Sequence, residues 1–537
     1  MEEGFSRNLH IFKNSLMNWL SKIDLHTDSK PWYLLWIPTV YGIFHAIQLA
    51  WTCDDAYISF VYSRNLWEGN GLVFNLGEKV EGYTNFLWTL MVSLSFPLGI
   101  RIEDFASGLG ILFYGLTILI LPSINTVVCF VLFYHGAIFA TSGLETSLYT
   151  FLVTILYKFY TQKKWNAMIS ISSMSVLVRP DGFIFFLGSI LLTFYHQFEN
   201  EQWEKVHKNY QDKDENHTSI SKRQIIDLIK SCFHCNLPAI LFSLVMGGIY
   251  ILKAIYYGSI VPNTFYAKAD AGEYFQQGLQ YFYLFQQEYL VFSLFLVVGV
   301  LFSKSKFSWL MIAYLVYVLY IGGDFMFARF IIPIIPIAIQ LTWVLLKETQ
   351  STWILRFPKF GKSFSLIVLS IFLLSPLYRT GILAKEGWKI WEETGIAEER
   401  NFYKSLGSKE LIYEVDAFKN VRVAFFGAQA HFVYYLRPAY ALESTTGLTD
   451  YQLARTKLNS RGRIGHEKTA SFDLLSERKI DLVLSDHYKE LESSPDLIYT
   501  WNGNRLLWKI LILPNQNFQN KAINDLTSKP NFTIELQ

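Results

Sequence analysis

Residues 31–51 read PWYLLWIPTVYGIFHAIQLAW and carry no formal charge, and Asp54-Asp55 follow after only Thr52 and Cys53. At ~1.5 Å per residue in a helix, such a run crosses the ~30 Å hydrocarbon core of a bilayer. The preceding residues 1–30 are polar and lack a small-residue cleavage site, which predicts an uncleaved first span behind a cytoplasmic segment 1–31. Asp54 and Asp55 then fall at the membrane–water boundary.

The rest of the chain repeats this pattern. Of its 537 residues, 51% are apolar, 17% aromatic and 17% charged, and mean hydropathy is positive. Further apolar stretches lie at 85–100, 106–121, 124–141, 146–160, 166–178, 183–196, 236–256, 289–303, 307–321, 329–346 and 363–378. Several fall short of the ~20 residues of a perpendicular span, which predicts tilted or broken helices around a polar cavity. The expected fold is a polytopic α-helical membrane protein of about eleven spans. Its transmembrane part covers 32–378, with a first outer loop at 52–84 and a cytoplasmic loop at 197–235. Residues 379–537 return to soluble hydropathy, with short β-type runs at 421–426, 481–485 and 505–513, and predict an extracytoplasmic α/β domain.

Lys and Arg collect at 158–164, 205–230, 304–306 and 347–362, and the positive-inside rule places these connections in the cytoplasm. Alternation then puts 179–182, 256–273, 322–329 and everything after 378 outside. Upstream, the count closes when 106–141 makes one net crossing, broken at Pro122 and Ser123. The sequon at Asn216 falls on the cytoplasmic side, where it escapes glycosylation. Net charge is only +2, and no long basic run or nucleotide-binding loop occurs, which excludes nucleic acid as a partner. Four cysteines do not make a disulfide framework. Cys232 and Cys235 have metal-ligand spacing but no second ligand pair, so structural zinc is not expected.

This topology gathers the unusual polar residues on one face: Asp54, Asp55, Arg64, Glu81, Glu145, Arg179, Asp181, Lys268, Asp324 and Arg329. Charges near hydrocarbon are costly and, when collected on one side, line a site or a pathway. Carboxylates supply a general base, while guanidinium and ammonium groups neutralise a phosphate leaving group. Each residue also has a structural reading. An Asp pair past a span is a stop signal, Arg179-Pro180-Asp181-Gly182 is a turn, Gly322-Gly323-Asp324 ends a helix, and Glu145 caps the helix that follows it. Their convergence favours a site.

The run Asp54-Asp55-Ala56-Tyr57-Ile58-Ser59-Phe60, continuing through Arg64-Asn65-Leu66, Gly71-Leu72-Val73-Phe74-Asn75 and Glu81-Gly82-Tyr83-Thr84-Asn85-Phe86-Leu87-Trp88, carries a family resemblance. So do Ser142-Gly143-Leu144-Glu145-Thr146, Arg179-Pro180-Asp181-Gly182, the segment Tyr257 through Lys268, Gly322-Gly323-Asp324-Phe325-Met326 with Arg329-Phe330, Gly447-Leu448-Thr449-Asp450 and Gly465-His466-Glu467-Lys468. Together these resemble a bacterial family of the C-type glycosyltransferase superfamily. Its best-known branch is the terminal β-(1→2)-arabinofuranosyltransferases of actinobacterial cell walls.

The resemblance implies an inverting transferase in the bacterial cytoplasmic membrane, moving a sugar from a polyprenyl-phosphate donor to an envelope glycan, lipid or protein. It implies a carboxylate base in the first outer loop, Asp54 or Asp55, with Asp54 favoured. Placement by charge and side adds Arg179, Lys268, Arg329 and Arg64 as donor-phosphate partners and Glu81, Tyr83, Asn85, Glu145, Asn263 and Asp324 as substrate contacts. No cofactor is fixed by these motifs, and a divalent cation is compatible with the adjacent carboxylates. The competing readings are a transporter or flippase, which predicts internal repeats and charges through the membrane depth, and a catalytically silent envelope or flagellum-associated protein of the same fold.

Overall fold

The computed structural model describes residues 32–212, 236–269, 274–357, 360–401, 418–426, 429–457, 467–483, 496–501, 504–510 and 532–535. The Asn216 sequon, the Cys232/Cys235 pair and Gly465-His466 lie outside these residues, as does the segment 1–31.

Among the described residues, four helices are long and apolar enough to cross a membrane: Ile102–Ile120, Leu237–Tyr257, Ile332–Arg356 and Gly361–Lys385. A fifth is reached if Phe275–Glu288 and Leu290–Phe302, bent by 118° at their junction, count as one broken span. Trp165–Val178 and Phe307–Tyr320 are apolar but shorter. The chain is thus a polytopic α-helical membrane protein. Lipid offers no partner to a free backbone N–H or C=O, so spans must be helical, and short or bent helices persist where protein covers their ends. The stretch 85–100 forms only the helix Phe86–Ser93. The expected break within 106–141 falls between Ile120 and Ile124, where Ser123 and Thr126 form a reciprocal capping box.

Six helices position the candidate site: α1 (Asp54–Trp67), α2 (Thr146–Thr161), α3 (Trp165–Val178), α4 (Leu237–Tyr257), α5 (Asn263–Ala269) and α6 (Ala430–Leu436). Although α1 carries two aspartates and an arginine, most of it is buried, Asp54, Arg64 and Asn65 included. Burying such groups is unfavourable without partners, and the partners come from distant parts of the chain.

One of these is the C-terminal region, which holds a six-stranded sheet in the order β2-β1-β3-β5-β4-β6. β1 (Arg422–Phe425) pairs in parallel with β2 (Tyr440–Glu443) and with β3 (Leu482–Val483). β4 (Asp496–Trp501) and β5 (Asn504–Ile510) form an antiparallel hairpin, and β6 (Phe532–Glu535) adds antiparallel to β4. Parallel neighbours need a crossover, and α6 lies in the one from β1 to β2. That crossover helix packs on α1, which joins the sheet to the helical part of the chain.

Candidate active site

The site starts from a glycine. Gly143 sits at φ +79°, and a Cβ there would lie 3.0 Å from Ala56 Cβ and 3.2 Å from Thr52 Cγ2. Only glycine fits both the conformation and the gap. The close approach lets Cys53 N–H donate to Ser142 C=O at 2.8 Å and the buried Trp88 indole donate to Gly143 C=O at 2.9 Å. The turn before α2 is thereby fastened to the start of α1, and it presents Glu145.

Glu145 is 1% exposed. Its Oε1 accepts from Arg179 Nη1 at 3.2 Å and Arg329 Nη2 at 2.9 Å, and its Oε2 accepts from Asn85 Nδ2 at 2.9 Å. Burial opposes the carboxylate, but Arg329 and Arg179, aided by Asn85, outweigh it and hold the carboxyl down at about 2. Glu145 is therefore ionised at neutral pH and acts as a fixed anion. Asn85 is oriented in turn by Ser59 and Thr89, whose hydroxyls donate to its Oδ1 at 2.9 and 3.1 Å.

The two arginines differ in what they leave open. Arg179 donates from Nε to both Asp181 oxygens (3.0 and 3.3 Å) and from Nη2 to Asp181 Oδ2 at 3.0 Å, besides Nη1 to Glu145. Its guanidinium also lies 4.4 Å from the Phe330 ring centre, and the Tyr314 hydroxyl donates to Asp181. All three of its nitrogens are engaged. Arg329 donates from Nη1 to Asp324 at 3.4 Å and from Nη2 to Glu145, while its buried Nε has no hydrogen-bond partner among the described residues. Asp55, half-buried on α1, lies within electrostatic reach of Arg329.

Asn85, Glu145, Arg179, Asp181, Asp324 and Arg329 thus meet in one polar centre built from four separated segments, with Asp55 within electrostatic reach. The other residues singled out in the sequence lie elsewhere. Asp54 is 0% exposed and turned toward α6: it accepts from the backbone N–H of Ala430 at 2.7 Å and of His431 at 3.2 Å, and from His431 Nδ1 at 2.5 Å. Arg64 donates to the Tyr434 carbonyl at the far end of α6 at 2.5 Å. Burial, with Arg437 nearby, pulls its guanidinium down to about 10.

Glu81 forms a buried ion pair with Lys253 of α4 at 2.6 Å, and the Tyr83 hydroxyl lies 3.1 Å from that of Tyr257. Asn263 of α5 donates to the carbonyls of Gly447, Leu448 and Asp450 and accepts from Arg455 at 2.9 Å. Its amide is occupied at the seam with the C-terminal region, as is Gly82, where a Cβ would lie 2.6 Å from the Leu448 carbonyl oxygen. Lys268 lies in α5, and its side chain falls outside the described residues. Among the described residues no group of three or more His, Cys, Asp or Glu side chains is placed to hold a metal ion.

Sequence reasoning missed His431, whose helix is separated from Asp54 by 377 positions. It also missed Lys253, which sits inside an apolar run. Only the cost of a charge at that depth could have signalled a partner.

Comparison with known proteins finds no matching family model. In sequence, the chain is 26% identical over 274 residues to a terminal β-(1→2)-arabinofuranosyltransferase of Mycobacterium tuberculosis, covering 45% of this chain and 39% of that protein. It is 44% identical over 64 residues to the protein of the same name from Corynebacterium glutamicum, covering 12% of this chain and 9% of that one. The matched region therefore spans well under half of either relative. Among solved structures, ArnT from Cupriavidus metallidurans bound to undecaprenyl phosphate aligns with 90% of this chain and 99% of its own, at 11% identity and a TM-score of 0.49. Its apo form gives 0.48. The sequence matches bear out the resemblance: this chain is similar to the terminal β-(1→2)-arabinofuranosyltransferases.

Proposed function

We propose that the protein is an inverting glycosyltransferase that takes a sugar from a polyprenyl-phosphate donor and passes it to an envelope glycan, lipid or protein on the outer face of the cytoplasmic membrane. The observation that carries this reading is the meeting of Glu145, Arg179, Asp324 and Arg329 in one centre, with Asp55 within electrostatic reach of Arg329. Similarity to two arabinofuranosyltransferases supports the same class of reaction. In this reading the chain crosses the bilayer about eleven times and residues 379–537 lie outside.

Asp55 is the general base. The three donors on Asp54 occupy its oxygens and hold it against α6, and Asp55 lies within electrostatic reach of Arg329. Asp55 takes the proton of the acceptor hydroxyl as that oxygen forms its bond to the anomeric carbon. The bond from the anomeric carbon to the phosphate oxygen breaks on the opposite face, and its electron pair leaves with the lipid phosphate. Arg329 is the phosphate partner, because its unmatched Nε is a donor held in place by Glu145 and Asp324. Arg179 and Asp181 fix Glu145 from behind.

The test is incubation of the purified full-length protein, in lipid nanodiscs, with a panel of polyprenyl-phosphate sugars, following sugar transfer or donor hydrolysis. Turnover of one donor is expected. No turnover across the panel, with every donor shown to bind, overturns the reading.

A further inference from the structure

Asp54 and His431 make a contact that the chemistry above does not use, although it is largely buried and joins α1 to the C-terminal region. A carboxylate only accepts hydrogen bonds, so His431 donates from Nδ1 to Asp54 Oδ1. The N–H groups of Ala430 and His431 lie at the start of α6, where a helix leaves its donors without internal partners. Arg64 holds the opposite end through the Tyr434 carbonyl. The Tyr435 hydroxyl donates to Glu103, and the Tyr57 ring lies between 5.6 and 6.0 Å from the rings of Tyr434, His431 and Tyr435. A negative group at the first turn and a positive group at the last complement the dipole of α6. Two residues of α1 therefore clamp one helix of the C-terminal region.

Asp54 and Asp55 are consecutive at the start of α1, so their side chains leave the helix about 100° apart. Fixing Asp54 against α6 sets the rotation of α1 and with it the direction of Asp55. A rotation of ~20° at the ~5 Å radius of a carboxylate displaces it by ~2 Å, and a misplacement of about 1 Å can lower turnover ~10²-fold.

We propose that His431 is a positioning residue for sugar transfer: by binding Asp54 it fixes the rotation of α1 and so sets where Asp55 lies relative to Arg329. This rests on the transferase reading above.

The test compares His431→Ala, His431→Asn and His431→Gln in the full-length protein with a donor that the wild type turns over. Asparagine places its amide nitrogen near Nδ1, and glutamine places its own near Nε2. The alanine and glutamine variants are expected to lose about 10- to 100-fold in kcat, with donor KM within about twofold, and the asparagine variant to recover most of the loss. Hydrogen exchange of the Ala430 and His431 amides is expected to accelerate at least about tenfold in Asp54→Ala. Equal kcat in wild type and His431→Ala overturns the proposal, as does rescue by glutamine instead of asparagine, or unchanged exchange in Asp54→Ala. A wild type that turns over no donor fails the transferase reading itself and leaves the exchange result as the measure of the clamp.

Discussion

Replacing Glu145 by glutamine probes the centre of the ion network. Glu145 sits between two guanidinium groups at 3.2 and 2.9 Å and accepts a third bond from Asn85. The substitution keeps size and one carbonyl oxygen but removes the only carboxylate shared by Arg179 and Arg329 among the described residues. Breaking a buried pair by removing one partner costs about 3–5 kcal/mol, because a charge is left without compensation. Asp181 and Asp324 remain on the two arginines, and the amide oxygen still accepts one bond, so the lower end, ~3 kcal/mol, is expected. That corresponds to roughly a 150-fold shift in the folded-to-unfolded ratio. The assay is denaturant unfolding in a mild detergent, followed by tryptophan fluorescence, in a double-mutant cycle with Arg329→Gln. The cycle is expected to show a coupling of at least ~1 kcal/mol. A Glu145→Gln protein within ~0.5 kcal/mol of wild type, or additive single effects, refutes the network as drawn.

Gly143→Ala puts a Cβ at φ +79° and 3.0 Å from Ala56; a loss of about 2–4 kcal/mol is expected, read as a fall in the monodisperse fraction after solubilisation. Arg329→Gln is expected to raise donor KM by at least about tenfold, whereas Arg179→Gln chiefly lowers stability; a donor titration beside an unfolding curve separates them. Burial raises the Glu398 carboxyl to about 7, with Arg379 opposing and Glu288 adding to the rise. Its folded value lies above the unfolded ~4.3, so the stability it contributes is complete below that pH and lost as pH rises through about 7. Melting curves from pH 4.5 to 8 are expected to show wild type losing ground to Glu398→Gln over that range, and parallel curves contradict it.

The helical membrane part was legible because long apolar runs have few alternatives in lipid. The meeting of Glu145, Arg179, Asp324 and Arg329 was legible because charges at helix ends on one face have few places to go. The runs at 421–426 and 481–485 contain β1 and β3, and the run at 505–513 overlaps β5, while strand order was not readable, since it depends on long-range pairing. What the sequence concealed is which charge serves which partner. Arg64 reads as a phosphate ligand by type and side, yet it holds a carbonyl of α6. Glu81 reads as a sugar contact, yet Lys253 neutralises it from within an apolar helix. Asp54 and Asp55 are indistinguishable by composition and spacing. A helix separates adjacent side chains by about 100°, and only the packing of α6 sets which of the two turns inward.

That separation is the central claim, and it is tested by measuring transfer with Asp55→Asn and Asp54→Asn on the same donor. Asp55→Asn is expected to cut turnover by about 10² to 10⁴ with donor binding retained. Asp54→Asn is expected to lose less and to speed exchange of the Ala430 and His431 amides. Near wild-type turnover in Asp55→Asn, with Asp54→Asn inactive but its α6 amides still protected, contradicts the assignment.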